Sequence, residues 1–185
     1  MDVYNRGWNW KRRKGINMTD SKKTPLVSVI MGSASDWDVM LNVVKILKDF
    51  DIPYEARVLS AHRTPEMLKE YVKFAEERGI ELFIAGAGMA AALPGVIASC
   101  TVLPVLGVPI PSGALNGQDA LFSIVQMPPG IPVACFAIGK PGATNSALMA
   151  IAILARKYPE LKTKLIAYRE QQAKKILETN LPDNI

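Results

Sequence analysis

The chain is short of the residues that most often carry metal or redox chemistry. Among 185 residues there is one histidine, His62, and there are two cysteines, Cys100 and Cys135, far apart and in no C-x-x-C pair. That leaves neither a zinc-ligand pattern nor a redox pair, so no metal site is expected and the thiols read as buried groups in a reducing compartment. A membrane-spanning run is missing too. From Leu82 to Ala155 only Asp119 and Lys140 are charged, yet Gly86, Gly88, Pro94, Pro104, Pro109 and Pro111 break the stretch. In lipid those breaks would leave backbone groups unpaired, so burial between copies of the chain, a homo-oligomer, fits better. The folded part also lacks a basic excess. Residues 1–25 carry seven basic and two acidic side chains, and the remaining 160 residues carry fifteen of each sign, so the whole net charge of +5 sits in the first segment. A nucleic-acid partner would need its basic stripe on the folded surface, and none is expected. The amino terminus has no apolar signal core, and it contains Asp2 and Asp20, which transit segments avoid. A cytoplasmic protein is the expectation. Met18, followed by Thr19 and Asp20, reads like an ordinary start, which makes residues 1–17 read as an upstream extension.

What is present is enough apolar residue, 49% against 21% charged, for one soluble domain. Short apolar runs alternate with helix-period segments. Strands are expected over Leu26–Met31, Tyr54–Leu59, Ile80–Ala85, Pro104–Val108 and Pro132–Ile138. Helices are expected over Asp36–Phe50, from Thr64 and Pro65 to a stop at Gly79, over Asp119–Met127, over Thr144–Lys157, and over Pro159–Leu177. The alternation implies an α/β fold: a three-layer, flavodoxin-like parallel sheet with a C-terminal helix extension. The division expected is a basic flexible extension over residues 1–25, a catalytic domain over 26–157 and a helix over 158–185 that packs in the oligomer.

In a doubly wound sheet, ligands bind beyond the carboxyl ends of the strands where the order switches. Strand order 2-1-3-4-5 would bring together the loops Gly32–Asp36, Ser60–Pro65 and Gly86–Gly95. The first, Gly32-Ser33-Ala34-Ser35-Asp36, can aim backbone N–H groups and hydroxyls at a phosphate, or can simply cap a helix. It lacks the spacing and lysine of a nucleotide-triphosphate loop, so a monophosphate suits it better. The second puts His62 between the hydroxyls of Ser60 and Thr64 and beside Arg63, which can neutralise a phosphate. The third, Gly86-Ala87-Gly88-Met89-Ala90-Ala91, formally matches a dinucleotide fingerprint, but no acidic residue for a ribose follows at the expected distance. Its glycines read as letting backbone approach a ligand.

These same residues resemble the PurE family in its bacterial, mutase type. The likeness runs from about Val27 to the end, through Met31-Gly32-Ser33-Ala34-Ser35-Asp36-Trp37, Ser60-Ala61-His62-Arg63-Thr64-Pro65, Ala85-Gly86-Ala87-Gly88, Leu93-Pro94-Gly95 and Ser123-Ile124-Val125-Gln126-Met127-Pro128. The resemblance implies an octamer that acts in purine biosynthesis on a small ribonucleotide monophosphate. It implies no metal or organic cofactor. In that family a carbamate carboxylate leaves N5 as CO2 and is recaptured at C4 of the imidazole while a histidine moves protons. Carried over, His62 is the proton shuttle, Ser35, Ser60 and Arg63 hold the phosphate, and Asp36 holds the ribose. Ser33 with the Ala87-Gly88 backbone takes the aminoimidazole end. The third loop departs from the family's usual Gly-Gly-Ala-Ala-His-Leu-Pro-Gly, because Met89 stands where a second glycine is usual and Ala92 where a histidine is usual. Three alternatives to the mutase stay open: a carboxylase using free CO2, a relative with weakened or altered activity, and a non-catalytic nucleotide- or flavin-binding module. Arg63 favours the mutase over the carboxylase type, which more often has lysine there.

Overall fold

A computed structural model describes residues 17–18 and 24–179. The basic extension expected over residues 1–25 lies mostly outside the described residues. The sheet comprises β1 (Asn17–Met18), β2 (Val27–Met31), β3 (Tyr54–Val58), β4 (Leu82–Gly88), β5 (Val105–Ile110) and β6 (Ala134–Cys135), in the order β1-β3-β2-β4-β5-β6. The pairings β3-β2-β4-β5-β6 are all parallel, which is the expected 2-1-3-4-5 order. β1 was not foreseen. Its two residues pair antiparallel with Ala56 and Glu55, covering part of an edge that would otherwise offer unpaired backbone groups.

The helices are α1 (Trp37–Asp49), α2 (Pro65–Glu77), α3 (Leu93–Ala98), α4 (Gln118–Val125), α5 (Lys140–Leu154) and α6 (Pro159–Leu177). They form two layers because side chains alternate along each strand. On β2, Val27, Val29 and Met31 join the core beneath α1, α5 and α6, and Ile30 joins the core beneath α2, α3 and α4. β4 divides the same way, Leu82 and Ile84 one way and Phe83 and Ala85 the other. Met40, Val43 and Leu47 of α1 are fully buried, each worth about 1.5–3 kcal/mol of transfer free energy.

The bounds differ from expectation where prolines and glycines decide them. β4 runs on to Gly88 because its small residues keep pairing with β5. α3 was expected as loop; Pro94 sits in its first turn, where a missing N–H is harmless. α5 starts four residues early, with Pro141 in its first turn after Gly139. The strand expected over Pro132–Ile138 shrinks to Ala134–Cys135, which pair with only Leu106 and Gly107. α6 has the expected bounds. The charge-poor stretch is only partly buried: Leu115, Phe122, Val125 and Met149 are about half exposed or more.

One charged cluster is embedded between β3 and α2. Glu55 is fully buried on β3, and its carboxylate accepts from the Tyr71 hydroxyl at 2.6 Å, from Arg78 and, at 3.4 Å, from Arg57. The Tyr71 oxygen also lies 2.6 Å from Ser28 Oγ on β2. Burial first, then the charge of Glu55, pushes the Tyr71 hydroxyl far above its ordinary range, so it remains a donor. A buried charge is tolerated only when paired in this way. The cluster ties β2, β3 and α2 together on either side of the loop that carries His62. Tyr71→Phe strips one donor from Glu55 and leaves the buried Ser28 hydroxyl without it. We expect a loss of about 1–3 kcal/mol, read as a fall in the urea midpoint; an unchanged midpoint would show that the cluster does not stabilise the fold.

Candidate active site

Three strand ends open into one cleft of about 550 Å³. It is lined by all eight residues expected to form the site: Ser33, Ser35 and Asp36 after β2, Ser60, His62 and Arg63 after β3, and Ala87 with Gly88 at the end of β4. Topology alone explains the convergence, because β3, β2 and β4 are neighbours and all run the same way.

The first loop is closed on itself. A short 3-10 turn, Ala34–Asp36, precedes α1, and Ser33 caps it: Ser33 Oγ accepts from Ser35 N at 3.3 Å and from Ser35 Oγ at 2.9 Å. Asp36 reaches back, its Oδ2 accepting from Ser33 N at 3.0 Å, which completes a capping box. The helix cap expected from this loop is therefore made by Ser33, with Asp36 as its partner. Asp36 is 9% exposed, and burial raises its carboxyl above the ordinary value of 3.8 against the opposing pull of the Ser33 and Gly32 N–H groups, Ser35 and the charge of Arg63.

The second loop is tied to the first through Arg63. Its Nη2 donates to Gly32 O at 2.7 Å, and its Nε and backbone N both donate to Ser60 Oγ at 3.2 Å. The guanidinium thus sits in the cleft wall, bridging two loops. Thr64 was expected to cap α2, but its hydroxyl accepts from Ser60 N and donates to Ser60 O, both at 3.0 Å, and makes no cap bond to the helix. His62 is exposed on the turn between Ser60 and Thr64, where a bound ligand would meet it.

The third loop supplies an apolar wall of Met89, Ala90, Ala91, Ala92 and Leu93. A Cβ at Gly88 would collide with Ser112 Oγ, and one at Gly86 with the Met40 side chain. Ser112 also lines the cleft, and sequence reasoning missed it. The expected strand ended at Val108, whereas β5 runs to Ile110 and so carries Ser112 to the mouth. Met89 stands at φ +56, a left-handed conformation that costs a side-chain-bearing residue about 1–2 kcal/mol. Cys100 and Cys135 are free and half-buried rather than enclosed, and burial raises the Cys135 thiol. Asp119 and Lys140 fall outside the cleft lining; Asp119 Oδ1 accepts from Ala120 N at the start of α4. Among the described residues no three His, Cys, Asp or Glu come together as a metal site would need, and no helix is long and apolar enough to cross a membrane.

The profile of the family described as AIR carboxylase matches residues 26–175. The chain belongs to that family. It is 62% identical over 146 residues to the N5-carboxyaminoimidazole ribonucleotide mutase of Pyrococcus abyssi, covering 79% of this chain and 83% of that one. The protein of the same name from Saccharolobus solfataricus is 60% identical over 157 residues, with 85% and 98% covered. Among solved structures, Treponema denticola PurE superposes with a TM-score of 0.76 at 33% identity, covering 83% of this chain and 95% of that one. The family placement expected from the motifs and the flavodoxin-like α/β fold therefore both hold.

Asp36 gives a pH test. A carboxyl whose folded pKa lies above its unfolded one binds more protons when folded, so stability falls as pH rises from about 3.8 through the raised value. Asp36→Asn keeps an oxygen for the Ser33 N–H and cannot ionise. Urea unfolding over a pH series is expected to show the wild type losing ground to the variant across that window; a constant difference would contradict the burial argument.

Proposed function

We propose that the protein interconverts N5-carboxyaminoimidazole ribonucleotide and 4-carboxyaminoimidazole ribonucleotide in purine biosynthesis. The observation that carries this is the pairing, on one cleft, of a histidine beside an arginine with a strand end, Ala87 and Gly88, that carries no long side chain. The mutases at about 60% identity support the same reaction.

In this reading Ser35, Ser60 and Arg63 hold the 5′-phosphate, charge against charge at the start of α1 where the helix dipole also favours an anion. Asp36 accepts from the ribose hydroxyls. Ser33 and the Ala87-Gly88 backbone face the aminoimidazole. His62 as imidazolium gives a proton to N5 as the N–CO2 bond breaks and its electron pair returns to nitrogen. CO2 is held beside the ring, C4 attacks it, and His62, now neutral, removes the C4 proton. The net change is an isomerisation and needs no redox partner.

The oligomer belongs to the same proposal. Leu115, Phe122, Val125 and Met149 are exposed on a single chain, and a homo-oligomer, the octamer of the resemblance, would cover them. The α6 segment, of which only Leu161 is buried, would be a contact between subunits in that assembly, and residues 26–157 the catalytic unit. As an enzyme of ribonucleotide synthesis, it would act in the cytoplasm in this reading.

Following 4-carboxyaminoimidazole ribonucleotide by ultraviolet absorbance, the wild type is expected to convert it without added bicarbonate, and His62→Asn to lower kcat by about 10²–10⁴-fold with KM little changed. Conversion to aminoimidazole ribonucleotide and free CO2 in place of the N5-carboxy isomer would favour the carboxylase reading, and wild-type activity in the variant would remove His62 from the mechanism.

A further inference from the structure

Met89 keeps a side chain at a backbone position suited to glycine. Its φ of +56 is strained for any residue with a Cβ, it is 60% exposed, and it lines the cleft. Strain of this kind persists where the surroundings hold it, most often at working sites. Its Cγ lies about 4.0 Å from where a Cβ on Gly113 would stand, so the thioether leans toward the turn that also carries Ser112. The cleft is consequently two-faced. Ser33, Ser35, Asp36, Ser60 and Arg63 make one wall polar, and Met89, Ala90, Ala91, Ala92 and Leu93 make the other apolar.

The two departures of this loop from the usual pattern fall on that apolar wall. A side chain is gained at Met89 and one is lost at Ala92, and both residues line the cleft. Two tight turns, Ala91 N to Met89 O at 2.8 Å and Ala92 N to Ala90 O at 2.7 Å, hold the positions close along the chain. Both positions therefore contribute to the same apolar side of the cleft.

We propose that Met89 is the wall that keeps CO2 in the cleft between its departure from N5 and its capture at C4, filling the space that Ala92 leaves. CO2 is small, uncharged and poorly hydrated, whereas the species that compete with its recapture are water and its own escape. A flexible apolar thioether next to Gly88 excludes the first and obstructs the second, without donating or accepting a proton. The inference rests on the mutase reading and adds a retention residue to it.

The test uses N5-carboxyaminoimidazole ribonucleotide carrying a ¹⁴C carboxylate, in buffer with unlabelled bicarbonate. The label kept in 4-carboxyaminoimidazole ribonucleotide is compared with that lost, alongside the free aminoimidazole ribonucleotide released. The wild type is expected to keep most of the label. Met89→Gly is expected to raise the lost fraction several-fold while still breaking the N–CO2 bond, and its Tm should not fall, since glycine accepts this φ. Met89→Leu should restore retention, and so should the double variant Met89→Gly with Ala92→His, which puts volume back from the other position. Retention in Met89→Gly equal to that of the wild type overturns the inference and leaves the mutase reading standing. A wild type that performs no conversion overturns both.

Discussion

The site depends on a strand that runs out of side chains. β4 is the central strand, flanked by β2 and β5, and it ends in Gly86, Ala87 and Gly88. At Gly86 the missing Cβ makes room for Met40 of α1, and at Gly88 for the hydroxyl of Ser112. Any larger residue would push one layer of helices off the sheet or fill the mouth. Because glycine stands at both positions, Met40 and Ser112 can pack directly against the strand, and the carboxyl edge of the sheet can hold a cleft without weakening the two apolar cores on its faces.

The walls of that cleft are held by their own hydrogen bonds. Ser33, Ser35 and Asp36 satisfy one another, and Arg63 spans from Ser60 to the Gly32 carbonyl. An arginine left in open solvent would lose several rotamers on meeting an anion, whereas one already seated by its neighbours loses less. The cost of this order appears at Asp36, where desolvation disfavours the ionised form and nearby N–H groups and Arg63 offset part of it. Behind the second loop, the Glu55, Tyr71 and Arg78 cluster holds β3 and α2 against each other, so the turn bearing His62 is fixed at both ends while the imidazole itself stays at the surface.

Much of this was legible in the sequence because strong local signals agreed with the tertiary fold. Val27 to Met31, apolar but for Ser28, became a strand buried on both faces, and Pro159 marked the start of α6. Strand order followed from the alternation, and with it the meeting of three distant loops. The failures are equally physical. α3 is six residues long and has no side-chain cap, so nothing polar announced it. The run from Pro132 to Ile138 has strand composition, but Pro132 has no N–H to give and only Ala134 and Cys135 pair in strand register with β5. Ser112 escaped because a strand end set two residues short hides whatever lies just beyond it. The buried Glu55 cluster was unreadable for another reason, since its members meet only through strand pairing and a helix crossover.

In the proposed homo-oligomer, the exposed apolar side chains at Leu115, Phe122, Val125 and Met149 would also determine what kind of quantity this protein's stability is. For a chain that covers its own apolar surface, the folded fraction is set by sequence, temperature and solvent. Where half-exposed phenylalanine and leucine are covered by copies of the same chain, folding and association share one equilibrium, and mass action enters. Dilution then acts as a denaturant, and crowding many copies together acts as a ligand does.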